Sequence, residues 1–178
     1  MKKSAFTLLE LIIVIVVAGI LAAIMIPRLE RDNLREAANQ VVRHIQYTQH
    51  LAMMNDVYDD GDPNWYQNRW SINLCSTDYA VERTNSSEIA EDPLTQRDIN
   101  GIDNDLADMD VTISPTGGNC RIVFDNLGRP YNFADVPAFV SPTGSLNIVD
   151  TTISLTANGR TATIDIIKET GFVRLNSF

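Results

Sequence analysis

The chain has 178 residues, 44% of them hydrophobic, and a formal charge of -9 from 14 Lys+Arg against 23 Asp+Glu. That length allows one folded domain plus an additional element, not two full domains. The acidic balance repels phosphate backbones and anionic lipid before any specific contact forms, which disfavours nucleic acid as a partner.

The apolar residues are not spread evenly. Residues 11–26 (LIIVIVVAGILAAIMI) carry no polar side chain, and from Phe6 to Ile26 the polar side chains are those of Thr7 and Glu10. About 20 such residues are enough to cross a bilayer as a helix. Lys2 and Lys3 form the basic flank that stays in the cytoplasm, so the rest of the chain is expected on the other side. The apolar run leads into Pro27, Arg28 and Glu30 with no small-residue cleavage site after it, so it is expected to be retained.

A plain single-span anchor does not account for two details. The Glu10 carboxylate sits in an apolar segment, where a charge costs about 2.5 kcal/mol or more at the bilayer centre unless a cation offsets it. Pro27 removes a helical hydrogen bond and crowds the carbonyl four residues earlier, and Gly19 is a second weak point. A helix able to kink between Gly19 and Pro27 suits a protein that packs into an assembly after leaving lipid.

The run Ala5-Phe6-Thr7-Leu8-Leu9-Glu10, with Pro27 closing the apolar segment, resembles the prepilin signature of type IV pilins and pseudopilins. The resemblance implies a leader over residues 1–5, cut between Ala5 and Phe6 by a prepilin peptidase that also methylates the new amine of Phe6. It implies that Glu10 pairs with the N-terminal amine of a neighbouring subunit, aligning subunits in a filament. Ala5 stands where the family usually has glycine.

After Pro27, an amphipathic continuation of the helix is expected over residues 28–58. Leu34, Ala38, Val41, Ile45, Thr48 and Ala52 recur at spacings of four and three, which makes one stripe on a helix. His44 and His50 lie six residues apart, so they do not share the face a helical metal pair needs, and they read as packed or solvated. The run Asp59-Asp60-Gly61-Asp62-Pro63 combines poor helix formers with a proline stop.

Residues 59–178 read as a β-rich head. Arg69–Leu74, Arg121–Phe124, Thr151–Leu155, Arg160–Ile167 and Phe172–Leu175 have strand character, and Asn158-Gly159 is a strong hairpin signal. One long helix with a mainly antiparallel sheet gives an α+β, pilin-like fold. The segments 122–131 (IVFDNLGRPY) and 153–175 (ISLTANGRTATIDIIKETGFVRL) are similar to the H-type minor pseudopilins and the FimT group.

Residues 76–118 form an acidic insert without a recognisable counterpart. Within it Asp98, Asn100, Asp103 and Asp105 surround Gly101. Clustered oxygen ligands about a sharp glycine turn suit calcium, although the later glutamate of an EF-hand is missing and a solvated acidic loop explains the same residues. Cys75 and Cys120 are an isolated pair, which an exported domain usually joins as a disulfide worth about 3–4 kcal/mol. No GxSxG, HExxH or P-loop pattern occurs, so the chain is not read as an enzyme.

The sequence therefore points to a minor pseudopilin of a type II secretion pseudopilus or type IV pilus assembly. It would be a single-pass inner-membrane protein with a periplasmic head. The expected partners are other pilins, the prepilin peptidase and the inner-membrane assembly platform. The alternative is a FimT-like minor pilin that captures DNA for uptake through Arg160, Lys168 and Arg174.

Overall fold

The structure, a computed structural model, describes residues 7–55, 57–62, 65–74, 79–84, 86, 88–100, 106, 109–115, 120–132 and 150–177. It comprises two compact units, Met1–Asn33 and Leu34–Phe178. One helix, α1 (Leu8–Met54), starts in the first unit and ends in the second. It stops ahead of the Asp59–Asp62 stretch, where Gly61 N–H bonds the Asp59 carboxylate in a local turn.

In the second unit α1 supplies one wall of the core. Leu34, Ala38, Val41, Ile45, Thr48 and Ala52, the stripe expected from spacing, are all buried, and Ala37, His44 and Gln49 widen it. Among the described residues, the opposite faces come from two antiparallel sheets of four strands each. The first has the order β2-β1-β4-β5, from Ala80–Arg83, Trp70–Asn73, Arg121–Phe124 and Pro130–Asn132. The second has the order β3-β6-β7-β8, from Thr112–Pro115, Thr151–Ala157, Arg160–Ile166 and Val173–Ser177. The mainly antiparallel sheet expected from sequence is thus two sheets around one core, and the α+β class holds.

Alternation explains the faces. Along β6 and β7, Ile153, Leu155, Ala157, Ala162, Ile164 and Ile166 are buried while the strand residues that alternate with them are at least partly exposed. Asn158 and Gly159 both adopt positive φ, 49° and 76°, so the β6–β7 turn is of the type whose twist matches paired strands. Pairing runs from Thr151↔Ile166 to Ala157↔Arg160 without a slip.

The stretch 76–118 carries more than acidic loop. It holds β2 and β3, and its Tyr79, Val81, Ala90, Ile99, Leu106, Val111 and Ile113 are buried in the same core as α1. Burying one such aliphatic side chain contributes about 1.5–3 kcal/mol.

Candidate functional site

The first unit holds the apolar half of α1. Leu8–Met25 has a mean hydropathy of 3.0, is long and apolar enough to cross a bilayer, and has no residue buried within the chain. Its start is set locally. Thr7 lies just before the helix, its carbonyl accepts from Leu11 N–H at 3.2 Å, and its hydroxyl oxygen accepts from Glu10 N–H at 3.3 Å. That is the N-cap arrangement, with Glu10 at the third helical position, where a carboxylate also favours the positive end of the helix dipole. Glu10 is exposed on α1, among exposed Leu8, Leu9, Ile13 and Val14.

Helical backbone continues through both Gly19 and Pro27, and a Cβ at Gly19 would meet no heavy atom within 4 Å. Ala5 and Phe6, the expected cleavage and methylation positions, lie outside the described residues.

The other sequence-derived positions are placed only in part. Cys75 lies outside the described residues; Cys120 is half-buried just before β4, where its carbonyl accepts the Leu74 N–H. Of the proposed calcium ligands, Asp98 is exposed and Asn100 half-buried, while Asp103 and Asp105 fall outside the description. Among the described residues no group of three or more His, Cys, Asp or Glu side chains is placed to hold a metal. Two of the three basic residues invoked for DNA, Lys168 and Arg174, lie beside carboxylates. Arg174 lies 3.3 Å from Asp165, whose carboxyl is held below its usual range because bonds from Thr152, Asn176 and Arg174 outweigh burial. Lys168 lies 3.8 Å from Glu169, and Arg160 is half-buried at the end of the hairpin.

Sequence reasoning missed three buried polar junctions in the second unit. Gln49 Nε2 donates to the Gly128 carbonyl at 3.0 Å and the Gly171 carbonyl at 2.5 Å, fastening a turn from each sheet to α1. Asp125 accepts from Leu127 and Arg129 N–H, from the Arg129 guanidinium at 2.7 Å and from the Tyr131 hydroxyl at 3.0 Å. Burial and the Asp125 charge push the Tyr131 phenol up to about 12. The third junction joins His44, Tyr79 and Asp92. Its signals were present as isolated polar letters, but pairing across 35 and 48 residues has no local pattern.

Residues 1–26 match the family described as the prokaryotic N-terminal methylation motif. The structure is similar to the crystal structure of the type IV minor pilin FimU of Pseudomonas aeruginosa strain PAO1. That likeness has a TM-score of 0.50 at 18% sequence identity, and covers 83% of this chain and 90% of the other. No curated protein matches the chain. Residues 1–26 thus carry a prokaryotic N-terminal methylation motif, and the fold resembles that of a type IV minor pilin.

Proposed function

We propose that this chain is a minor pseudopilin or minor pilin, a structural subunit that enters a filament through the N-terminal half of α1. The observation that carries the reading is the complete exposure of Leu8–Met25 within the chain, with a capped carboxylate-bearing residue in its first turn. An apolar surface of this size needs a non-aqueous partner. Lipid serves before assembly, and the helices of other subunits serve afterwards.

Glu10 then has a defined task. In the packed filament its carboxylate pairs with the methylated amine of Phe6 on a neighbour, which offsets the cost of withdrawing the charge from water. Cleavage after Ala5 creates that amine. The helix sits in the inner membrane with the head in the periplasm, where the oxidising compartment joins Cys75 to Cys120. The assembly platform and the prepilin peptidase are the membrane partners. A secretion pseudopilus fits the net negative charge of the chain better than a DNA-uptake role, since Lys168 and Arg174 near the C-terminus face carboxylates.

Mass spectrometry of the protein from a host with active prepilin peptidase tests this. The expected N-terminal peptide begins at N-methylated Phe6. A chain that still begins at Met1 there would reduce the protein to a tethered domain.

A further inference from the structure

Residues 90–99 fold back as a narrow ribbon beside β2. Ala90 and Ile99 exchange backbone bonds with Val81 and with each other, and Asp92 N–H bonds the Arg97 carbonyl at 2.7 Å. The two ends are anchored by buried Ala90 and Ile99. Between them, in residues 91–98, Asp92 is the one buried side chain, and Leu94 at the tip is 69% exposed. Apolar burial therefore does not hold the tip; Asp92 does.

Asp92 reaches α1 through His44. Its Oδ2 lies 3.3 Å from His44 Nε2, and its Oδ1 accepts the Leu94 N–H at 2.8 Å. The other ring nitrogen, Nδ1, lies 2.5 Å from the hydroxyl of Tyr79, which is fully buried. Burial raises the Tyr79 phenol far above its ordinary value, so it is protonated and donates. Asp92 is held below its usual range, because bonds from Leu94 N–H and His44 outweigh burial, so it accepts. Both assignments require a neutral imidazole that carries its proton on Nε2.

A second proton on His44 would have to sit on Nδ1, facing the Tyr79 hydroxyl hydrogen. The phenol would have to turn, although its oxygen already engages the Gln40 side chain. Arg43, on the same helix, adds repulsion, and Asp92 opposes it. Glu36, Arg97 and Asp98 line a cavity of about 220 Å³ that also borders His44 and Asp92.

We propose that His44 is an acid-sensitive latch that fastens the tip of the 90–99 ribbon to α1. Burial lowers the His44 pKa from its ordinary 6.5, against the pull of Asp92. The released state therefore takes up a proton first as pH falls. Stability of the latched state is complete above that ordinary value, declines as pH falls from it toward the lowered value, and levels off below.

The test is hydrogen exchange, corrected for intrinsic rates, on the full chain in detergent at about pH 7.5 and about pH 5. Protection of the Asp92 and Gln96 amides is expected to fall about tenfold or more on acidification, while the Leu155 and Ile164 amides hold. In His44→Gln the ribbon amides are expected to exchange alike at both pH values. Unchanged or rising protection in the unsubstituted chain, or a drop that persists in His44→Gln, overturns the latch. Nitrogen NMR of His44 in the unsubstituted chain gives an independent reading that needs no variant. An Nε2-protonated neutral ring at about pH 7.5 is expected. Proton uptake at or above the ordinary histidine value contradicts the proposal.

Discussion

The two halves of one helix, α1, differ in composition and meet opposite fates. Leu8–Met25 is apolar on every side and entirely exposed within the chain; Leu34–Ala52 is apolar along one stripe, and that stripe is buried. An all-round apolar helix has no face for water, so its packing partners must come from outside the chain. A striped helix needs one partner, and here the two sheets supply it. The halves differ both in hydrophobicity and in pattern: the first is apolar throughout, the second interleaves its apolar stripe with charged and polar side chains.

The largest expected effect on the folded half is at Gly171. Its φ is +70°, and a Cβ there would lie 2.0 Å from the Gly128 carbonyl oxygen and 2.7 Å from Gln49 Nε2. Gly171→Val should break the junction that ties both turns to α1 and cost about 3 kcal/mol or more, read by denaturant melting of the full chain in detergent. Membrane insertion of Leu8–Met25 should be untouched.

A pair of substitutions on α1 bears on the contrast itself. Ile45 is fully buried, so Ile45→Ala should cost about 2–5 kcal/mol, from lost transfer energy plus the cavity left behind. Ile15 is 61% exposed on the same helix, and Ile15→Ala should leave the same unfolding midpoint where it was. Equal losses at the two positions would mean that the first half of α1 already has a partner within the chain, and the contrast would fail.

What was legible in the sequence follows from the range of the signals. The stripe from Leu34 to Ala52 and the Asn158-Gly159 hairpin are local patterns, set by helix and strand periods and by backbone conformation, and both were readable. The division of the strands into two sheets was not, because β1 pairs with β4 across a stretch whose composition looks like acidic loop. Residues 76–118 were hard to read for the same reason: single buried residues such as Tyr79, Ile99 and Leu106 are scattered among charged ones. The helical spacing of His44 and His50 argues against a metal pair and leaves His44 packed or solvated; it is packed. Its partners, Tyr79 and Asp92, come from other elements, and no spacing along one helix reveals them. In the first unit Thr7 and Glu10 stood out as the polar letters of an apolar run. The capping bond between them became visible only with the backbone in place.

The central claim is that the exposed half of α1 enters a filament with Glu10 as its alignment charge. Its most direct test compares the unsubstituted chain with Glu10→Val in the native host, by immunoblotting sheared filaments or membrane-embedded crosslinked assemblies. The expected outcome is that the unsubstituted chain is recovered with other prepilin-type subunits, while Glu10→Val is processed, folds its head and stays in the membrane fraction. Recovery of Glu10→Val in assemblies at the unsubstituted level would contradict it.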